Sequence, residues 1–102
     1  MISSCVNDNG KELALCMEGH AGFAEQGKDI VCAAASMLGQ ALVSALGGVS
    51  GITLNVRISP GKLYVDATST PETRAMFKVA AAGLSDLTKK YPQNVAYRGE
   101  IA

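Results

Sequence analysis

From Ile30 to Val56 the chain carries no charged residue, and nothing else in the sequence restricts the fold as strongly. Within that stretch Val31, Ala35, Leu38, Leu42, Ala45 and Leu46 recur at helical spacing. Asp29 stands ahead of them as an N-cap, and Gly47-Gly48 close the run. The other side of this helix carries Cys32, Ser36, Gln40 and Ser44 at every fourth position. A helix without charge on either face has to be covered, by lipid or by protein. Lipid fits poorly, because Ala and Ser outnumber Leu and Ile, Gln40 would sit at mid-membrane, and Gly47, Gly48 and Gly51 leave the apolar run short. The expectation is a helix central in the fold or at a subunit contact, which favours a homodimer and no membrane.

The flanking segments alternate with period two. Asn9-Gly10 is a two-residue hairpin signal between Met1–Asn7 and Lys11–Glu18, since both turn positions must accept positive φ. With those two residues as the turn, Val6 faces Leu13, Ser4 faces Leu15 and Ile2 faces Met17, while Cys5 opposes Ala14 and Cys16 opposes Ser3. Residues 52–59 alternate as a strand with one buried face, Pro60-Gly61 turn the chain, and Leu63–Ala67 complete a second hairpin. Thr70-Pro71-Glu72 opens a second helix, whose inner side is read as Met76, Val79, Ala80, Gly83, Leu84 and Leu87. It ends at Lys89-Lys90, and Val95–Ile101 alternate as a last strand. The order ββαββαβ predicts an α+β fold with a largely antiparallel five-stranded sheet and two helices. At 102 residues, 48% hydrophobic and 18% charged, residues 1–102 are expected to form one small domain.

Nine basic and nine acidic residues cancel, which removes the long-range field of a dedicated nucleic-acid or anionic-lipid binder. The start of the chain turns polar at Ser3-Ser4 and has no basic segment followed by an apolar one, so the expected location is the cytoplasm. Three cysteines are an odd number, so a disulfide framework is not expected. Cys5, Cys16, His20 and Cys32 follow no zinc spacing, and no metal is expected.

Reactive chemistry concentrates around residues 19–36. Cys32 falls in the first turn of the helix capped by Asp29, where free N–H groups and the helix dipole favour a thiolate. The single imidazole, His20, lies twelve residues upstream, at the base of a glycine-rich loop containing Gly19, Gly22 and Gly27. Such a loop can return His20 to Cys32, and thiol plus imidazole is the minimum for an activated nucleophile. Asp29 has two candidate tasks, capping the helix or orienting His20. Ser36, one turn beyond Cys32, offers either a hydroxyl to the reaction or a small packing residue. If Asp29 takes the Cys32 N–H, an oxyanion must be met by other donors.

The residues Gly19-His20-Ala21, Gly27, Asp29-Ile30-Val31-Cys32-Ala33-Ala34 and Ser36 closely resemble the motif of the ribosomal-processing cysteine proteases, the Prp family. The resemblance covers Gly19 to Ser36 with its spacing intact, and the ββαββαβ order agrees with that family's small α+β domain. It implies an endopeptidase that removes an N-terminal extension from large-subunit ribosomal protein L twenty-seven, cutting after paired phenylalanines. In that motif Cys32 is the nucleophile and His20 the general base, the enzyme is a homodimer, and there is no cofactor. Two rival readings differ in class. One is a non-catalytic ribosome-assembly or peptide-binding module; the other is a redox sensor at Cys32, which lacks a resolving cysteine nearby.

Overall fold

The structure, a computed structural model, covers residues 1–102. Its elements are β1 (Ile2–Asp8), β2 (Glu12–Glu18), α1 (Ile30–Gly47), β3 (Leu54–Ser59), β4 (Lys62–Thr68), α2 (Pro71–Lys90) and β5 (Val95–Arg98). The strands form one five-stranded sheet in the order β3-β4-β2-β1-β5. All pairings are antiparallel except β1 with β5, which is parallel. The predicted ββαββαβ order and largely antiparallel sheet are what the chain adopts.

The register of the first hairpin differs from the expected one by two residues. Cys5 pairs with Cys16, Val6 with Leu15 and Asp8 with Leu13. The cause is the Asn9 side chain. Its Oδ1 accepts the N–H groups of Lys11 (2.9 Å) and Glu12 (2.7 Å), so Asn9 begins the turn and Gly10-Lys11 form its tip. Only Gly10 takes positive φ there, at 86°. Because side chains alternate with period two, a shift of two leaves the buried face unchanged. It does bring the two strand cysteines into direct opposition, with their sulfurs 3.3 Å apart on the open face of the sheet.

Ile2, Val6, Leu13, Leu15, Met17, Leu63, Val65, Ala67 and Val95 are buried on the face that both helices cover. α1 seats Val31, Ala35, Gly39, Leu42 and Leu46 there. At Gly39 a Cβ would lie 2.5 Å from Met17 Cε and 2.9 Å from Leu63 Cδ1, so the missing side chain lets α1 settle onto β2 and β4. Gly83 does the same between the helices, receiving Leu38 of α1 in a notch on α2. At 18 residues and mean hydropathy 1.8, α1 has the length and composition of a membrane span. Within one chain it is nonetheless covered on one side alone. Ile30 and Met37 are each 61% exposed, so the expected central position is not what a single copy provides.

Three further expectations are corrected. On α2 the inner stripe is Thr73, Phe77, Ala80 and Leu84, whereas Val79 is 71% exposed. Phe77 is the largest fully buried side chain, and the stripe centres on it. On β3, Val56 and Ile58 pair with the buried Val65 and Leu63, yet stay 38% and 57% exposed. Five strands span about 24 Å, whereas two packed helices cover about 20 Å, so one edge strand overhangs. The last strand also stops at Arg98, short of the expected Ile101.

Asp8, the last residue of β1, ties α2 to Ala102. Its carboxylate meets Arg74 at 2.7 Å and accepts the Ala102 N–H at 3.0 Å, and Arg74 also reaches the Ala102 carbonyl and Ser69. The Arg74 guanidinium and these N–H donors hold the Asp8 carboxyl well below the usual carboxylate range. A depressed folded-state pKa contributes stability above the unfolded value of about 3.9, and that contribution is lost as pH falls further. Asp8→Asn is therefore expected to unfold earlier in urea than the parent at pH 7, with the gap closing in titrations carried below about pH 4. Phe77→Ala is expected to lower unfolding free energy by about 3–5 kcal/mol in the same assay, through the cavity left under α2.

Candidate active site

The site forms where β2 runs out and α1 begins. Gly19, the first residue past β2, has φ of 103°, and a Cβ there would strike the Met1 carbonyl oxygen. Its N–H donates to the Gly61 carbonyl at 2.9 Å. Ala21 is 2% exposed, and its carbonyl accepts the Asn94 side-chain amide at 3.0 Å. His20 is thus an exposed residue between two pinned ones. Across from it, half-buried Cys32 occupies the first turn of α1.

Asp29 resolves the choice left open by the sequence. One carboxylate oxygen accepts the N–H groups of Val31 (3.0 Å) and Cys32 (2.9 Å). The other accepts those of Phe23 (2.9 Å) and Ala24 (3.3 Å) in the loop. These four donors, that of Cys32 first among them, draw the Asp29 carboxyl below its ordinary range. It makes no hydrogen bond to His20, so it acts as a cap and loop anchor. The Cys32 N–H is engaged, and an oxyanion has to find other donors. The Ser36 hydroxyl makes no hydrogen bond within the protein and lines the same cleft as Cys32, which leaves it free for that task.

His20, Cys32 and Ser36 lie together, on the ridge between two hollows. One, about 220 Å³, runs toward the second hairpin and is floored by Met17, Ile58 and Leu63. The other, about 480 Å³, opens under the loop, where Gly22 and Gly27 contribute to its wall. Both of those glycines have positive φ, 70° and 88°, with open space where a side chain would project. The loop is also secured at its middle by Phe23, whose ring meets Tyr91 edge-on at 5.4 Å. No cluster of three metal-ligating side chains occurs in the fold.

Sequence reasoning missed Gly61, Asn94 and Tyr91, which brace the loop and His20 from the β3–β4 turn and the end of α2. Their only sequence signals are a turn glycine and a helix stop, which do not announce a role 40 or more positions away. The brace at Asp29 is open to test. Asp29→Asn exchanges one acceptor oxygen for a donor group, and amide hydrogen exchange should then accelerate at Phe23 and Ala24 or at Val31 and Cys32, with the sheet amides unchanged.

The family model described as "Cysteine protease Prp" matches residues 1–96. The ribosomal processing cysteine protease Prp of Staphylococcus aureus strain Mu50 is 30% identical over 101 residues, covering 92% of each chain. A crystal structure of the S. aureus essential ribosomal processing protease Prp, with a covalently linked product peptide, superposes with a TM-score of 0.85 at 25% identity. It covers 98% of this chain and all of that one. A Streptococcus mutans protein superposes with a TM-score of 0.75 at 28% identity, over 96% and 92% of the two chains. The chain belongs to the Prp family of cysteine proteases.

Proposed function

We propose that this cysteine protease removes the N-terminal extension of large-subunit ribosomal protein L twenty-seven, with Cys32 as nucleophile and His20 as general base. The observation that carries the reading is the placement of Cys32, His20 and Ser36 on a ridge between two hollows. An extended peptide laid across it presents its scissile carbonyl to the sulfur and its flanking side chains to either side. The apolar floor of Met17, Ile58 and Leu63 suits aromatic side chains next to the cut.

The steps follow from the groups present. His20 takes the Cys32 proton, and the sulfur attacks the carbonyl carbon to give a tetrahedral oxyanion, which the Ser36 hydroxyl is free to meet. Collapse breaks the C–N bond, and His20 returns the proton to the leaving amine. Water, deprotonated by His20, then hydrolyses the thioester and restores the thiol. No cofactor enters any step. In the free protein no hydrogen bond joins the sulfur to the imidazole; such contacts tighten when a peptide is bound, and the Gly22–Gly27 loop would close over it.

The same reading places the enzyme in the cytoplasm as a homodimer. Met37 of α1 and Val56 of β3, exposed apolar residues outside both hollows, support a second copy as their cover. Incubating the purified chain with the extended ribosomal protein, followed by mass spectrometry, tests the assignment. The parent should release the extension and Cys32→Ala should not, while Cys5→Ser and Cys16→Ser remain active. Cleavage retained by Cys32→Ala would exclude the mechanism. Binding without cleavage by the parent would favour a peptide-docking module instead.

A further inference from the structure

We propose that Gly61, at the tip of the β3–β4 hairpin, is the positioning residue that seats the His20 imidazole for catalysis. The proposal deepens the peptidase reading above and rests on it for its kinetic arm. No hydrogen bond from any protein group holds the His20 ring: of the two carboxylates that line the hollows with it, Asp29 is occupied by four backbone amides and Glu18 pairs with Lys62 at 3.4 Å. Orientation must therefore come from packing. At Gly61 a Cβ would lie 3.2 Å from His20 Nε2, 3.6 Å from Cε1 and 4.0 Å from Cδ2, so the tip of the ring rests on bare backbone. The same residue accepts the Gly19 N–H through its carbonyl, fixing the main chain just ahead of His20. Gly61 has φ of 72°, as the tight turn requires, and an added Cβ would crowd the ring tip, which would have to yield by a few tenths of an ångström. One residue thus holds both the backbone and the imidazole of the general base.

Strain and contact can be separated, because Gly10 occupies the tip of the other hairpin with φ of 86° and nothing near an added Cβ. Gly61→Ala and Gly10→Ala carry similar left-handed strain, but only the first pushes on His20. Gly61→Asn and Gly10→Asn repeat the comparison with a residue that tolerates positive φ, should an alanine variant fold poorly. His20 is the only histidine, so its ring proton resonances are unambiguous by NMR.

With the extended ribosomal peptide as substrate, kcat of the Gly61 variants should fall about tenfold below that of the matched Gly10 variants. KM should stay within about twofold, because the peptide still binds while the base is displaced. The ring Cε1–H and Cδ2–H resonances should shift in the Gly61 variants and hold in the Gly10 variants. Equal kcat and equal ring resonances in the two sets would overturn the proposal. An inactive parent with selectively shifted ring resonances would overturn the peptidase reading while upholding the seating of His20 by Gly61.

Discussion

One carboxylate, that of Asp29, ties the start of α1 to the loop that precedes it, and the arrangement of the site follows from that tie. Its two oxygens face in different directions, one toward the amides of Val31 and Cys32 and the other toward those of Phe23 and Ala24. A helix N-terminus presents unpaired donors, and an anion there is stabilised by the dipole as well as by the bonds themselves. Here the anion is a fixed side chain, so the positive end of α1 is partly neutralised before any substrate arrives. The cost to the chemistry is one lost donor beside Cys32, and the unengaged Ser36 hydroxyl one turn further on offers a replacement. The cap therefore sets which groups remain for the reaction.

Much of the fold was legible because its signals are local. Thr70 caps α2 and pairs reciprocally with Thr73, Pro71 starts the helix, and the uncharged helix ends at the glycines, as read from the sequence. Local signals failed where a side chain could serve two ends. Asn9 fits a left-handed turn position by sequence, but its amide oxygen captures two backbone donors and moves the turn by one position. Met76 and Val79 fit a helical period as well as Phe77 does, and only the way α2 lies on the sheet decides among them. The alternation in β3 was read correctly as a strand, but cover depends on how far two helices reach across five strands.

The candidate site divides in the same way. Cys32 on a capped first turn and His20 at the base of a glycine loop were legible because thirteen residues of sequence contain both. The groups that hold them still were not. Asn94 reaches Ala21 across 73 positions, and Gly61 meets His20 through a turn in a different hairpin. Such contacts arise only after the sheet order β3-β4-β2-β1-β5 brings strands distant in sequence side by side.

The parallel pairing of β1 with β5 bears on the order in which the molecule can assemble. Ser4 and Ala96, joined by a hydrogen bond across that pair, are 92 positions apart. Closing so long a loop comes late, after the hairpins and helices have formed from nearer neighbours. Asn94 arrives with β5, and with it the clamp on Ala21. A nascent chain still lacking this segment could fold both hairpins and carry both Cys32 and His20, yet hold the histidine by only one of its two flanks. Competence to cut would then await the docking of β5.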